Sequence, residues 1–196
     1  MCQIIEAVGA YKLVVDPIPF RMLLRSITGQ QLSVAAARTI WARFLTVNRS
    51  RRVSPASVAR ISDDELRSAG ISRAKIQSLR AIQHSFACRT VTVAKLRRLS
   101  DDDVRSSLVK LRGVGPWTAD MFLMFGLGRL DIFPVGDLGI ANAIGQFYGT
   151  GPKANKTFML KVAEPWKPYR TIASWYCWQG LDLLRCGDLA INNRSN

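Results

Sequence analysis

Leu111-Arg-Gly-Val-Gly-Pro-Trp-Thr-Ala119, followed by an apolar run and then Phe133-Pro-Val-Gly-Asp137, is the stretch on which the reading of this chain turns. Gly113 and Gly115 permit left-handed backbone angles and take away side chains that would block a close approach. Pro116 presets the first turn of a helix, where its missing amide proton costs nothing. The amides around Gly113, Gly115 and Trp117 can therefore converge on one anion, such as a phosphate oxygen. Carbonyls on the other side of the turn, those of Val109, Leu111 and Val114, form a candidate seat for a structural Na+ or K+. A plain glycine-terminated helix end would look the same, and the turn alone does not choose between the two readings.

Working outward, helix signals dominate and no convincing strand pair is found. Asp16-Pro-Ile-Pro-Phe20 releases a helix over about 20–27, Thr28-Gly-Gln-Gln31 interrupts it, and a second helix runs over about 32–44. Asn48-Arg-Ser-Arg-Arg52 is a basic loop, and Ser54-Pro55 is a helix start. Ser62-Asp-Asp-Glu65 has the form of a capping box, in a short helix stopped by Gly70. Ser72 starts a helix presenting Ile76, Leu79, Ile82 and Phe86; Ser100 starts one presenting Val104, Leu108 and Leu111. A helix opening at Gly115-Pro116 ends in Gly126-Leu-Gly-Arg129, and another follows Asp137 with Ile140, Ile144 and Phe147 inward. A basic helix over 153–162 and an aromatic one over about 169–184 complete an all-α chain of nine or ten helices. Ala69-Gly-Ile-Ser-Arg-Ala-Lys75 echoes Arg112-Gly-Val-Gly-Pro-Trp-Thr118; chance and a second functional turn both explain the echo.

With 196 residues the chain can bury a sizeable core as one domain or two small lobes. Its 28 basic residues against 14 acidic ones leave a charge of +14, which favours a polyanionic partner, nucleic acid before an anionic membrane. The basic residues are scattered rather than aligned on one amphipathic helix, and no apolar run could cross a bilayer, so no membrane association is expected. Clusters at Arg49-Arg51-Arg52, Lys95-Arg97-Arg98 and Lys153-Lys156-Lys161 read equally as phosphate contacts or as solvated faces. Cys2, Cys88, Cys177 and Cys186 lack metal-site spacing and suggest no disulfide framework, and no secretory signal opens the chain. An intracellular setting is expected, cytoplasm and nucleoid in a bacterium or nucleus in a eukaryote. The sequons at Asn48, Asn155 and Asn193 are read as chance, and His84 as a surface or boundary residue.

Asp137 lies 22 residues beyond Gly115 and directly before an apolar helix. It suits an N-cap, and it equally suits chemistry on whatever the anion site holds. The second half of the chain is rich in aromatics: Trp117, Phe133, Trp166, Tyr169, Trp175 and Trp178. Aromatic faces can sandwich an extruded base and attract a cationic one most strongly. Trp41 is read as core.

The chain resembles the helix–hairpin–helix superfamily of base-excision DNA glycosylases, in its alkylpurine (3-methyladenine DNA glycosylase II) branch. The likeness is carried by Gly29-Gln-Gln-Leu-Ser33, Gly70-Ile-Ser-Arg-Ala-Lys75, Leu111–Ala119, Asp131-Ile-Phe-Pro-Val-Gly-Asp-Leu-Gly-Ile140 and Trp166-Lys-Pro-Tyr-Arg170, in family order over nearly the whole chain. It implies a compact all-α fold of two helical lobes flanking a cleft, over about 30–130 and 1–29 plus 131–196, with the hairpin at 111–115. It assigns the catalytic aspartate to Asp137, base-pocket aromatics to Trp117 and Trp178, DNA contacts to Gly113 and Gly115, and the residue wedged into the DNA stack to Gln31 or Leu32.

The departures narrow the expectation. Relatives that also cut the DNA backbone carry a lysine just after the hairpin, where this chain has Trp117, so a monofunctional glycosylase without a lyase step is expected. The four spaced cysteines of iron–sulfur relatives are missing, and an N-terminal β-domain does not fit before Phe20. The resemblance thus implies hydrolysis of the N-glycosidic bond of alkylated purines such as 3-methyladenine in duplex DNA, the first step of base excision repair. A monomer needing no cofactor, apart from the candidate hairpin cation, is expected. A glycosylase for oxidised or mismatched bases, and a non-catalytic DNA-damage-binding module, are the competing readings.

Overall fold

The computed structural model describes residues 1–188. Most of its helices begin because a small polar side chain stands where the first amides lack partners. Ser33, Ser54, Ser62, Ser72, Thr92, Ser100, Asp137 and Asn155 each accept from the backbone N–H three residues on. They open α3 (Val34–Asn48), α4 (Pro55–Ala59), α5 (Asp63–Ser68), α6 (Arg73–Ala87), α7 (Val93–Arg98), α8 (Asp101–Leu108), α10 (Leu138–Phe147) and α11 (Lys156–Ala163) respectively. Proline opens α2 (Pro19–Gly29) and α9 (Pro116–Met121) instead. α1 (Cys2–Val8) and α12 (Arg170–Cys186) complete twelve α-helices among the described residues, with no strand. A 3-10 turn spans Glu164–Trp166.

Four expectations need adjusting. The apolar run after the hairpin is not one α-helix: α9 passes into a π-helical turn, Phe122–Leu127, that ends at Gly128 in the left-handed region. Gly126 lets that wide turn lie against the Phe122 ring and Pro19, where an added Cβ would come within 3.3 Å and 3.5 Å. The helix expected from residue 32 starts at Val34, because Ser33 is its cap. α1 and α7 were not expected, and the basic helix begins three residues later than expected, after the Asn155 cap.

The chain forms two units, Val15–Gly128 and Met1–Val14 with the chain from Arg129. Residues 15–29, expected with the terminal lobe, belong to the central unit because α2 packs on α3, α6, α9 and the π-helical turn. Its fully buried Leu23, Leu24 and Ile27 show how: three apolar residues at helical spacing face that core. In the other unit α12 packs on α1 and α10, and α10 on α11. Ile140, Ile144, Met159, Cys177 and Leu181 form its core, flanked by the partly buried Trp166 and Trp178.

Two sequons are spent on structure. Asn155 caps α11, and buried Asn48 donates to the Ser50 carbonyl at 3.1 Å while accepting from the Ser57 hydroxyl at 2.8 Å. Asn193 lies outside the described residues. All four cysteines are free, and burial pushes the Cys177 thiol up to about 12, which leaves it unreactive. His84 is exposed, as expected, and Trp41 stacks on fully buried Phe44 at 4.8 Å. Among the described residues no helix is long and apolar enough to cross a membrane.

Candidate active site and DNA-binding turns

The hairpin turn is built from Leu111 to Val114. The Val114 amide donates to the Leu111 carbonyl at 3.1 Å, and Gly113 sits at φ +78 in the third position, as a type II turn demands. Gly115 differs from expectation. Its φ of −93 is ordinary extended backbone, so only Gly113 needs glycine's conformational freedom. What Gly115 supplies is openness, since an added Cβ would meet nothing within 4 Å. Gly113 by contrast lies hard against α6: a Cβ there would fall 2.0 Å from the Ser78 Oγ and 2.7 Å from its Cβ.

With the Val114 amide spent within the turn, the Gly113 and Gly115 amides donate to no protein acceptor among the described residues. The carbonyls of Val109 and Val114 likewise accept from no donor among them, while that of Leu111 takes only the Val114 amide. The turn therefore presents donors and neutral oxygens together. Trp117 follows as the second residue of α9, partly buried.

The wedge candidates stand on a second turn of the same kind. The Leu32 amide donates to the Gly29 carbonyl at 3.3 Å, Gln30 has φ −51 and ψ 136, and Gln31 has φ +57. A glutamine held at positive φ is uncommon; such strain costs about 1 kcal/mol or more and persists only where the surroundings enforce it. Gln31 and Leu32 are both exposed.

Sequence reasoning missed what holds this turn. The Gln30 side chain donates to the Gly113 carbonyl at 3.0 Å and to the Thr118 hydroxyl at 2.8 Å. The Lys75 ammonium donates to the carbonyls of Thr28 at 2.9 Å and Gln30 at 2.8 Å. Burial pushes the Lys75 pKa below its ordinary range. Both residues lie in motifs that carried the family resemblance, but nothing in a linear sequence pairs positions 45 residues apart.

In the unit that contains it, Asp137 is the N-cap of α10, and its carboxylate is gripped at one oxygen. Oδ1 accepts from the Ile140 amide at 2.8 Å and from the Trp178 indole N–H at 2.9 Å. The cap and the reactive carboxylate, two readings the sequence left open, are thus compatible: capping orients the acid. Gly139 makes room for the arrangement, since a Cβ there would lie 3.0 Å from both the Asp137 Oδ1 and the Trp178 Cδ1. The approach to Asp137 is braced from α12. The Thr171 hydroxyl, on a buried residue, donates to the Arg129 carbonyl at 2.7 Å and accepts from the Ile132 amide at 3.0 Å. Arg170 meets the Asp131 carboxylate at 2.7 Å and 2.9 Å, and this partnership holds the Asp131 pKa below the usual carboxylate range. Trp178, expected as a base-pocket aromatic, turns its N–H edge to Asp137 while packing on the core.

The three basic clusters are exposed, and Arg49 of the first is paired with Glu65 at 2.8 Å.

A helical fold with a glycine turn that leaves two amides without a protein acceptor among the described residues, and a braced carboxylate after it in the chain, defines a class, and the comparisons agree with it. The model of the HhH-GPD superfamily of base excision DNA repair proteins matches residues 24–168, and the chain belongs to that family. It is 32% identical over 190 residues to the alkylbase DNA glycosidase-like protein mag2 of Schizosaccharomyces pombe, covering 94% of this chain and 89% of that one. Among solved structures it is similar to the 3-methyladenine DNA glycosylase Mag1 of the same yeast, in complex with abasic DNA. That match has a TM-score of 0.86 and 28% identity over 96% of this chain and 93% of Mag1. The DNA-3-methyladenine glycosidase of Bacillus halodurans matches with a TM-score of 0.79 and 34% identity, over 94% and 85% of the two chains.

Proposed function

We propose that this chain is a monofunctional DNA glycosylase that hydrolyses the N-glycosidic bond of alkylated purines, 3-methyladenine among them, in duplex DNA. The observation that carries the proposal is the Asp137 carboxylate, fixed by two N–H donors on one oxygen. Its family, the names borne by its relatives and its charge of +14 support the same reading.

Alkylation at a ring nitrogen makes a purine cationic and a good leaving group, so little general acid is needed. The glycosidic electron pair leaves with the base, positive charge develops on the sugar, and water adds at the anomeric carbon. Asp137 stabilises that charge and orients the water or takes its proton. Trp117 and Trp178 are the aromatics suited to hold a base by stacking and cation–π attraction, each contact worth about 0.5–2 kcal/mol. The Gly113 and Gly115 amides hold a backbone phosphate, and Gln31 or Leu32 fills the gap left by the extruded nucleotide. The Val109, Leu111 and Val114 carbonyls, two of them without a protein donor among the described residues, suit a Na+ or K+, which would fix the turn and take no part in the chemistry. With Trp117 after the hairpin no amine stands there to form a Schiff base, and no strand cleavage follows.

Asp137→Asn tests the proposal. It keeps the capping oxygen, so binding to damaged duplex is expected to persist, while base release falls by a factor of about 100 or more. Chromatographic identification of the bases liberated from methylated DNA, beside substrates carrying 8-oxoguanine, uracil or mismatches, reads both activity and class. Near-normal turnover by the variant would refute the role of Asp137, and release of oxidised bases alone would reassign the substrate.

A further inference from the structure

The strained turn and the Gly113 turn share one support. α6 carries Lys75, whose ammonium binds the Thr28 and Gln30 carbonyls. One turn further along the same helix, Gln77 accepts from the Arg112 guanidinium and buried Ser78 abuts Gly113. The Gln30 amide closes the triangle by reaching the Gly113 carbonyl and the Thr118 hydroxyl directly. Gln31, held at φ +57, is therefore bracketed by a residue whose carbonyl is pinned to α6 and whose side chain is pinned to the hairpin. Rigid elements with interlocked hydrogen bonds keep a site within the half-ångström tolerance that recognition requires.

We propose that Lys75 and Gln30 are positioning residues that lock the Gln31–Leu32 turn in register with the Gly113 turn, so that insertion into the base stack and grip on the phosphate backbone act as one unit. The proposal rests on the DNA-glycosylase reading above. The pair therefore contributes less to binding of intact duplex, where nothing is inserted, than to binding of a duplex with a gap in its stack. Its contribution appears where a gap in the stack receives the wedge, because a loosened turn must then be ordered at the moment of binding.

The test uses the full chain with two duplexes, one intact and one carrying a tetrahydrofuran abasic analogue beside 2-aminopurine. Lys75→Met keeps the aliphatic stem without the ammonium, Gln30→Met keeps the length without the amide, and Lys75→Arg restores two donors. The preference for the abasic duplex is expected to fall by about tenfold in the two methionine variants and to recover in Lys75→Arg. The 2-aminopurine signal of insertion should fall in parallel, while the salt dependence of intact-duplex binding stays that of the wild type. Combining Gln30→Met with Leu32→Ala should cost less than the sum of the two, because a loose turn presents no wedge to lose. An unchanged preference, or equal losses on both duplexes with strict additivity to Leu32→Ala, would overturn the coupling. Failure of the underlying reading shows differently: the wild type itself would then bind both duplexes alike and release no base.

Discussion

The turns at Gly70 and Gly113 look alike in sequence: each follows a helix, holds glycine at positive φ (+91 and +78) and leads into a new helix. Their hydrogen bonds differ. At Gly70 the glycine amide donates to the Arg67 carbonyl at 2.9 Å and the next amide, of Ile71, to the Leu66 carbonyl at 3.2 Å. That is a complete Schellman cap, which spends the glycine amide and the amide after it. At Gly113 the bond skips the glycine, running from Val114 to Leu111, so the Gly113 and Gly115 amides have no protein acceptor among the described residues, and the Gly113 carbonyl is taken by Gln30. The glycine amide is what distinguishes the two turns: it is spent within the turn at Gly70 and has no protein acceptor among the described residues at Gly113. Of the two explanations for the echo, the Schellman bonds at Gly70 favour chance over a second functional turn.

Gly113→Ala should produce the largest difference between the turns. The new Cβ meets both the Oγ and the Cβ of Ser78, so a change of the serine rotamer cannot relieve it and the turn must part from α6. Overpacking plus a positive φ imposed on alanine gives an expected loss of about 2–4 kcal/mol. Urea unfolding reads this, and affinity for damaged duplex should fall with it. A variant as stable as the wild type would mean that Gly113 is not seated as described.

Gly115→Ala separates folding from binding. Its φ of −93 suits alanine and its Cβ position is empty, so stability should move by less than about 1 kcal/mol even with alanine as the helix cap. A methyl group beside its amide should nevertheless weaken duplex affinity by roughly tenfold, the loss of about one charge-assisted hydrogen bond. Unchanged affinity at low salt would remove Gly115 from the DNA contact.

Gly70→Ala is the converse probe. Its Cβ would meet the Ile40 side chain at 3.4 Å and the Arg43 guanidinium at 3.9 Å, both ordinary contacts, so the cost is the positive φ alone, about 1 kcal/mol. Affinity for damaged duplex should not change. A variant that folds well but binds poorly would show Gly70 to be a second DNA-facing turn and undo the contrast.

How much of this was readable beforehand follows the range of the interactions involved. Caps are local, and Ser54, Ser62, Ser72 and Ser100 were recognised as helix starts from neighbours within three or four positions. α1 escaped because only Ile4 in its seven residues is buried, and its place comes from packing on α12 rather than from any periodicity. Gly115 was misjudged because glycine permits positive φ without requiring it, and the sequence does not say which glycine of a pair uses the licence. Asp137 was legible as an acid before an apolar helix, but its Trp178 partner lies 41 residues away and was assigned to stacking. Gln30 and Lys75 carry no local signal of their role, since their meaning resides in contacts spanning 83 and 45 residues.

The smallest effect tests the chemistry on which the Gly70 turn rests. Its helix, α5, is held at its start by Glu65, whose carboxylate accepts from the Ser62 amide at 2.8 Å while the Ser62 hydroxyl accepts from the Glu65 amide at 3.1 Å. The bond from the Ser62 backbone, then that from its side chain, then the Arg49 charge hold the Glu65 pKa below its ordinary value. A carboxyl lowered in the folded state contributes stability that is complete above its unfolded pKa and disappears as the pH falls through the folded one. Glu65→Gln keeps an acceptor but not the charge, so its small deficit in melting temperature should be full at neutral pH and close in acid. A deficit that persists unchanged into acid would show that the charge of the cap contributes nothing, and that α5 is kept in place by the packing of Leu66 and Ala69 alone.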